Sequence, residues 1–201
     1  MIKIIVFDIG NVLAPFLWED CLRDHGHPEE MVMRIGRATV KHPLWKELDR
    51  SATLEEELIE EFMANDPEIA SDIRKFLLYS DTAVQEYDYS ADLIRSLKEH
   101  GYQVYLLSNY GGRNYQYALE HFAFIRHVDG GVISYEVGSI KPEPEIFEAL
   151  IEKYGFHPEE AVFLDDLKTN IDAAAQHGFH TIQFSDLDQA LEEMRSLGIR
   201  I

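Results

Sequence analysis

The segment IIVFDIGNVL, residues 4–13, decides the fold of this 201-residue chain. Its apolar, β-branched first half predicts a strand that is buried on both faces, as in a parallel sheet. The strand delivers a carboxylate, Asp8, at its carboxyl end, and Gly10 follows two positions later. A polar residue after a strand is usually the N-cap of the next helix, but GNVLAP is not a helix start. Asp8 is therefore a candidate functional residue.

Three further apolar stretches end in a similar way: VYLLSN at 104–109, AVFLDD at 161–166 and HTIQFSD at 180–186. Each follows a helical pattern that stops at a glycine, the residue expected just past a helix end. The alternation of strand and helix predicts an α/β fold, a Rossmann-like three-layer core built on a parallel sheet. The segment VDGGVISYEVG, residues 128–138, is typical of a glycine-opened hairpin.

Residues 15–85 interrupt this alternation. No strand pattern occurs there, whereas helix starts such as Asp66-Pro67-Glu68 are frequent. We therefore expect four or five helices inserted after the first strand, as an α-helical domain over 15–85. Residues 1–14 and 86–201 would together form the α/β core domain.

Composition restricts the partners. The chain has 37 acidic and 18 basic residues, a net charge of −19. Such a surface repels nucleic acid and anionic membranes, so we expect neither as a partner. No apolar run reaches the ~18 residues that span a bilayer. The single cysteine, Cys21, suits a reducing cytoplasm. The oligomeric state is left open between monomer and homodimer.

The carboxyl ends of parallel strands meet at one edge of a sheet, which is where ligands bind. Asp8, Ser108 and the pair Asp165-Asp166 are predicted to meet there. Lys141 comes before a proline that opens a helix, which holds the lysine in a defined place. A carboxylate is a nucleophile toward phosphorus when its neighbours offset the charge of the incoming phosphate. Lys141 and Ser108 offer a cation and a hydroxyl for this, and Asp166 with Asp8 can hold Mg²⁺.

Four segments, VFDIGNVL, LLSN, SIKPEPEIF and FLDDLKTNIDAA, resemble in order and spacing the four motifs of the haloacid dehalogenase-like (HAD) hydrolase superfamily. The resemblance covers essentially the whole chain and points to the helical-cap (C1) phosphatases similar to glucose-1-phosphatase-like members. It implies that the inserted helices are the cap, that Mg²⁺ is the cofactor, and that the substrate is a small phosphorylated metabolite such as a hexose 1-phosphate.

The resemblance also implies a role for each site residue. Asp8 would be the nucleophile that forms an aspartyl-phosphate. The phosphate would be bound by three residues: Ser108, Asn109 and Lys141. The metal would be bound by Asp8, by the carbonyl oxygen of Gly10 and by Asp166. Two further residues would support the metal from the second shell of ligands: Asp165 and Asn170.

Gly10 departs from the family pattern. Most phosphatases of the superfamily have an aspartate at this position, which acts first as general acid and then as general base. Such a group typically contributes about 10²- to 10⁴-fold in rate. Three explanations for the missing aspartate stay open. The substrate has a good leaving group, as an anomeric sugar phosphate does; another group replaces the aspartate as acid and base; or the protein no longer hydrolyses its ligand. The candidate substitutes are Asn11, the cap residues Glu19 and Asp20, and water.

Two alternatives to a phosphatase also stay open. A metal-independent 2-haloacid dehalogenase would use the same aspartate and would need a cap arginine for the substrate carboxylate. Three arginines are available in the cap: Arg23, Arg34 and Arg37. The adjacent acids Asp165-Asp166 favour a metal site, and hence a phosphatase. The third hypothesis is a phosphate-binding regulatory module with little turnover, which the glycine at position 10 supports.

Overall fold

A computed structural model describes all residues of the chain, Met1–Ile201, and contains one parallel sheet of five strands. The strands are β1 Ile4–Phe7, β2 Gln103–Ser108, β3 Gly130–Ile133, β4 Ala161–Asp165 and β5 His180–Gln183. Their spatial order is β3-β2-β1-β4-β5, so the first strand lies at the centre of the sheet. Helices cover both faces. The predicted α/β, Rossmann-like core is therefore confirmed.

Eleven α-helices accompany the sheet. Five precede β2 within the insertion: α1 Trp18–Asp24, α2 Glu29–Ala38, α3 Trp45–Arg50, α4 Glu56–Ala64 and α5 Ala70–Tyr79. The other six are α6 Ser90–Glu99, α7 Gly112–His121, α8 Ser134–Val137, α9 Pro144–Tyr154, α10 Lys168–Gln176 and α11 Leu187–Ser196. Short 3₁₀ helices occur at Pro67–Ile69, Ser80–Ala83, Phe124–His127 and Pro158–Glu160. None of the helices has the length and hydropathy needed to cross a membrane.

The side chains of β1 alternate between the two faces of the sheet. Ile5 and Phe7 pack into a cluster of 25 buried residues that includes side chains of α6, α7 and α11. Ile4 and Val6 pack into a second cluster of 13 buried residues, with side chains of α9 and α10. Because β1 is buried on both faces, it has no polar side. This double burial explains the nearly continuous apolar run that opens the sequence.

The prediction of a hairpin at residues 128–138 is wrong. Residues Gly130–Ile133 form β3, which pairs in parallel with β2, and the short helix α8 follows directly. A Cβ atom at Gly131 would lie 2.6 Å from the carbonyl oxygen of Leu106 in β2. Glycine at this position therefore allows two backbones to approach closely and does not form a turn. A four-residue strand that begins with two glycines has too little hydrophobic pattern to be recognised.

The inserted helices have a hydrophobic cluster of their own. Ten buried residues from α1, α2, α4, α5 and the 3₁₀ turn before α5 form it, with Phe62 and Phe76 among the fully buried side chains. The two linkers to the sheet run side by side. The Leu17 N–H donates to the Ala83 carbonyl oxygen at 2.7 Å. The returning linker therefore runs alongside the segment that follows β1, and the Tyr87 N–H donates to the Leu13 carbonyl oxygen at 3.1 Å.

Candidate active site

The parallel register brings the predicted residues to one edge of the sheet. Phe7, the last residue of β1, lies opposite Leu164 in β4. The next residue, Asp8, therefore emerges at the same level as Asp165, and its N–H donates to the Leu164 carbonyl oxygen at 2.9 Å. Ser108 ends the neighbouring strand β2 on the other side. Three chain segments that are distant in sequence thus deliver polar side chains to one place.

The Asp8 carboxylate is buried, and three donors reach it. The Ser108 hydroxyl donates at 2.6 Å and the Ile9 N–H at 2.7 Å, and the Lys141 ammonium lies 2.9 Å away. All three contact the same oxygen, Oδ1. The second oxygen, Oδ2, accepts no hydrogen bond from the chain and is left for a ligand.

Lys141 lies between two carboxylates in the interior. Its side chain is 1% exposed, and Nζ donates to Asp165 Oδ2 at 2.6 Å and to the Leu107 carbonyl oxygen at 2.8 Å. Burial lowers the pKa of the Lys141 ammonium, but the charges of Asp8 and Asp165 more than offset it and raise the pKa. Lys141 is therefore a permanent cation at the strand ends.

Asn109 holds Lys141 through the backbone. Its side-chain oxygen accepts from the Lys141 N–H at 2.7 Å, and its amide nitrogen donates to the Lys141 carbonyl oxygen at 3.0 Å. This reciprocal pair ties the loop before α9 to the end of β2. Both hydrogen-bonding groups of the Asn109 side chain therefore contact the chain itself.

The strand ends also carry an excess of negative charge. Carboxylate oxygens of Asp8, Asp165 and Asp166 lie within 4.8 Å of one another. Burial raises the pKa of Asp8 to about 6, because the loss of water outweighs the attraction of Lys141 and the Asp165 charge adds to the rise. Burial likewise raises the pKa of Asp166, against a hydrogen bond from Asn11. A divalent cation would offset this crowding of acids.

Only some of these oxygens are available to a metal. Asp165 accepts from the Leu167 N–H at 2.8 Å, from the Asn170 amide at 3.0 Å and from the Lys141 ammonium. Its hydrogen-bonding capacity is therefore used within the protein. Asp8 and Asp166 keep oxygens that face the solvent side of the cluster, so a hard, oxygen-binding cation such as Mg²⁺ fits this donor set.

A cavity of about 230 Å³ opens above the cluster. The α/β part contributes ten of the lining residues: Asp8, Gly10, Asn11, Asn109, Tyr110, Asn114, Lys141, Asp166, Leu167 and Asn170. The helical insertion and its linkers contribute four: Phe16, Trp45, Asp49 and Val84. The cavity is thus enclosed from both sides, and every predicted site residue except the buried Ser108 and Asp165 lines it.

The charged cap residues considered from the sequence do not line this cavity. Arg23 binds Asp20 at 2.7 Å and also contacts Glu19, while Arg34 binds Asp66 at 2.5 Å. Arg37 is also absent from the lining. The cavity therefore contains no cap arginine for a carboxylate substrate, and neither Glu19 nor Asp20 is available to replace the missing acid at Gly10.

Sequence reasoning missed Asp49 and Trp45 as residues of the site. They lie one turn apart on α3, so their side chains share one face of that helix. In the sequence, Asp49 is one charge within WKELDR and has no motif around it. Trp45 packs near Phe76 among the inserted helices and also lines the cavity.

Comparisons with known proteins fit this geometry. A profile of the haloacid dehalogenase-like hydrolases matches residues 2–178. The chain is 28% identical over 209 residues to acyl-CoA dehydrogenase family member 10 of Mus musculus. This match covers 97% of the present chain but only 19% of the mouse protein. It is 23% identical over 203 residues to flavin mononucleotide hydrolase 1 of Arabidopsis thaliana, covering 100% of this chain and 79% of the relative. It is 31% identical over 111 residues to D-ribitol-5-phosphate phosphatase of Bacteroides thetaiotaomicron, about half of each chain.

Solved structures share the fold. The HAD family enzyme bt-2542 of Bacteroides thetaiotaomicron, in complex with magnesium and inorganic phosphate, superposes with a TM-score of 0.71 at 23% identity. The match covers 92% of this chain and 95% of that enzyme. A dehalogenase superposes with a TM-score of 0.74 at 19% identity and covers 100% and 98% of the two chains. The fold is therefore compatible with both reactions, and the site has to discriminate between them.

Proposed function

The chain belongs to the haloacid dehalogenase-like hydrolase family, and we propose that it is a Mg²⁺-dependent phosphatase that hydrolyses a small phosphomonoester through an aspartyl-phosphate on Asp8. One observation carries the proposal. Lys141 is buried between Asp8 and Asp165, 2.9 Å and 2.6 Å from their oxygens, and lines the cavity. A fixed cation beside a carboxylate nucleophile offsets the charge of an incoming phosphate dianion.

The contacts around Asp8 divide its two oxygens between two tasks. Oδ1 is held by Ser108, Lys141 and the Ile9 N–H, which orients the carboxylate. Oδ2 is the oxygen that attacks phosphorus. Ser108 and Lys141 then contact the transferred phosphoryl group, while Asn109 keeps the Lys141 backbone in position.

Mg²⁺ would be held by Asp8, Asp166 and the carbonyl oxygen of Gly10. When bound, it would offset negative charge on the phosphoryl oxygens and help to align them with the nucleophile. Asp165 and Asn170 support this arrangement indirectly. Asn170 donates to both Asp165 oxygens at 3.0 Å, and Asp165 in turn orients the Lys141 ammonium.

The proposal includes two domains: a core of residues 1–14 plus 86–201 and an α-helical cap of residues 15–85. The separate hydrophobic cluster of the inserted helices and the paired linkers support this division. Such an arrangement lets the cap close over the bound substrate and exclude bulk water during the reaction. The cap then supplies the side of the cavity that contacts the leaving group.

The substrate class is a small phosphorylated metabolite. The cavity is smaller than the roughly 300–1,000 Å³ that is usual for drug-sized ligands. Relatives act on ribitol 5-phosphate and flavin mononucleotide, as their names state, which makes a polyol or sugar phosphate a reasonable substrate class. A hexose 1-phosphate is our leading candidate, because its anomeric leaving oxygen needs less protonation than an ordinary alcohol.

A 2-haloacid dehalogenase is the second candidate, since a dehalogenase shares the fold along the whole chain. The cavity argues against it. No arginine lines the cavity to hold a substrate carboxylate, whereas the acids Asp8 and Asp166 face it together. Together with Asp165, these acids outnumber the one buried cation, Lys141, so the site without a metal would repel an anionic haloacid, whereas it suits a metal-bound phosphate.

Phosphate release from a panel of phosphomonoesters, with Mg²⁺ and with a chelator, tests the proposal. The panel should contain sugar 1-phosphates, sugar 6-phosphates, polyol phosphates and p-nitrophenyl phosphate. Release that stops with chelator supports the phosphatase. Halide release from 2-haloacids without metal would establish the dehalogenase instead. Binding of phosphate without turnover of any ester would favour the regulatory module. A cytoplasmic location and a monomeric or homodimeric state stay predictions.

A further inference from the structure

We propose that the Asp49 carboxyl group, contributed by cap helix α3, is the general acid and base that Gly10 cannot supply. This inference rests on the proposed phosphatase function and names the residue that would complete it. Asp49 is the only acidic residue that the cap contributes to the lining of the cavity. It faces the same space as the nucleophile Asp8 from the opposite side, where the leaving group of a bound ester would lie.

The Asp49 side chain is free to contact a ligand. Its carboxyl group makes no hydrogen bond to any other residue, although the residue is partly buried and lines the cavity. The other candidates differ in this respect. Glu19 and Asp20 are engaged with Arg23 on the outer surface of the cap, and the Asn11 amide donates to Asp166 and cannot transfer a proton. A group that must exchange a proton with substrate has to be free and inside the site.

Contacts with the core fix the position of α3. The Ser134 hydroxyl donates to the Asp49 carbonyl oxygen at 2.5 Å, and the Ser134 oxygen accepts from the Tyr110 N–H at 2.9 Å. Arg50, the next residue, forms an ion pair with Glu143 and donates to the Gly138 carbonyl oxygen at 3.1 Å. Glu143 lies two residues from Lys141. The segment that holds the acid is therefore attached to the loop that holds the phosphate-binding cation.

The same segment approaches the start of α7 very closely. A Cβ atom at Gly111 would lie 2.5 Å from the Leu48 carbonyl oxygen, and the Gly112 N–H donates to the Ser51 carbonyl oxygen at 2.9 Å. Gly111 comes only three residues after Ser108. Two consecutive glycines thus allow the backbone on either side of Asp49 to lie directly against the backbone next to the phosphate site.

The surroundings also suit the role. Burial raises the pKa of Asp49 to about 8, and the charge of Asp8 adds to this rise, whereas the cations Lys141 and Arg50 oppose it. Near neutral pH the group therefore holds a proton that it can give to a leaving oxygen. An acid works best when its pKa is close to the working pH.

The proposed reaction has two steps, and Asp49 transfers a proton in each. In the first, Asp8 Oδ2 forms a bond to phosphorus, the bond between phosphorus and the ester oxygen breaks, and Asp49 gives its proton to that oxygen, which leaves as an alcohol. In the second, water attacks the phosphorus and loses a proton to the Asp49 carboxylate. The bond between Asp8 and phosphorus breaks, which restores the Asp8 carboxylate and releases inorganic phosphate.

Asp49→Asn tests this role through the leaving group. With an alkyl phosphate or a sugar 6-phosphate, whose alkoxide needs a proton, we expect turnover to fall by about 10²- to 10⁴-fold. With p-nitrophenyl phosphate, whose phenolate leaves unaided, we expect the first step to keep its rate to within about tenfold. Rapid mixing should then show one equivalent of p-nitrophenol per active site, followed by slow turnover, because the phosphorylated Asp8 has lost its general base.

A rescue variant separates proton transfer from substrate binding. A Cβ atom at Gly10 would meet no other atom within 4 Å, so the site has room for a side chain there. Gly10→Asp combined with Asp49→Asn should recover part of the turnover of alkyl phosphates. Glu61→Gln, which removes an exposed acid from α4, is the matched control and should change neither phase. Asp49→Ala, with thermal unfolding of each variant, provides a second route if the asparagine variant does not fold.

Two results for Asp49→Asn would overturn the assignment of Asp49 while leaving the phosphatase function intact. One is an equal fall in rate with both esters, in the first step as well as in later turnover. The other is no fall in rate at all. The wild-type protein with Mg²⁺ provides the distinguishing measurement. If it hydrolyses none of the esters, the proposed function itself fails, and the role of Asp49 falls with it.

Discussion

The ammonium group of Lys141 lies 2.9 Å from the carboxylate of Asp8, although the two residues are 133 positions apart in the sequence. The contact forms because β1 lies at the centre of the sheet and the loop before α9 returns to the carboxyl ends of the strands. It places the carboxylate that we propose as nucleophile beside a buried cation at the edge of the cavity. The stability of the fold and the chemistry of the site therefore depend on the same buried pair.

Asp8→Asn should abolish turnover without unfolding the protein. An amide is not a nucleophile toward phosphorus, so phosphate release should fall on the order of 10⁴-fold or more, as is usual when a covalent nucleophile is removed. The side-chain oxygen can still accept from Ser108 and Lys141, so the thermal midpoint should stay close to that of the wild type. Chelator-sensitive hydrolysis retained by this variant would contradict the aspartyl-phosphate mechanism.

Lys141→Met should destabilise the fold strongly. It leaves Asp8 and Asp165 as buried neighbours without their cation, and breaking a buried pair in this way costs about 3–5 kcal/mol. Unfolding in urea measures the difference. The control is Lys168→Met, which removes an exposed lysine 2.6 Å from Asp172 and should cost less than about 0.5 kcal/mol. Equal effects of the two substitutions would show that the buried contact does not stabilise the structure.

Mg²⁺ should raise the thermal midpoint through the acid cluster. A cation at 100 times its dissociation constant stabilises the folded state by about 2.7 kcal/mol. Asp166→Asn should remove most of this shift, because Asp166 lines the cavity and is one of the two acids that we propose as metal ligands. Asp172→Asn is the matched control, since it removes an exposed acid. Sodium chloride at equal ionic strength must accompany each measurement, because a net charge of −19 is also screened by salt.

If the Asp166→Asn protein responded to Mg²⁺ as fully as the wild type, the metal would have to bind elsewhere. The same variant should also lose chelator-sensitive phosphate release. These two readouts are independent, because the thermal shift needs no substrate.

Glu143→Gln should weaken the attachment of α3 in a pH-dependent way. The ion pair with Arg50 holds the pKa of Glu143 at about 2, below the usual 4.5 of a glutamate. Its contribution to stability is therefore present above pH 4.5 and is lost as the pH falls toward 2. Because the Glu143 side chain is 38% exposed, we expect a difference of less than about 1 kcal/mol at pH 7.

The measurement is the free energy of unfolding of both proteins at neutral pH and at about pH 3. The difference between wild type and Glu143→Gln should shrink at the lower pH, because Glu143 of the unfolded chain, with its usual pKa of 4.5, then takes up a proton while the folded protein keeps the carboxylate charged. Glu148→Gln, an exposed position on α9, serves as the control and should give no such trend. A constant difference across this range would mean that the carboxylate charge is not what holds α3.

The strand ends were predictable because they depend on local pattern and one general property of parallel sheets. A buried strand that ends in a carboxylate can be recognised at Asp8 and again at Asp165, and the sheet brings such ends together. The α/β fold follows from the alternation of strand and helix. The strand β3 was not predictable, because its glycines serve a close contact with β2 that has no trace in the local sequence.

The residues that the cap contributes to the site could not be identified from the sequence. Glu19, Asp20 and Asp49 are all acids in the helical insertion, and nothing in their neighbours distinguishes them. Their difference arises from packing: the first two pair with Arg23 on the surface, whereas the third is turned into the cavity by the contacts of Ser134. Hydrophobic period and motif spacing describe short stretches of chain. The direction of a cap side chain depends on how two separately packed units meet, so the core half of this site can be read from residue order and the cap half only from the folded molecule.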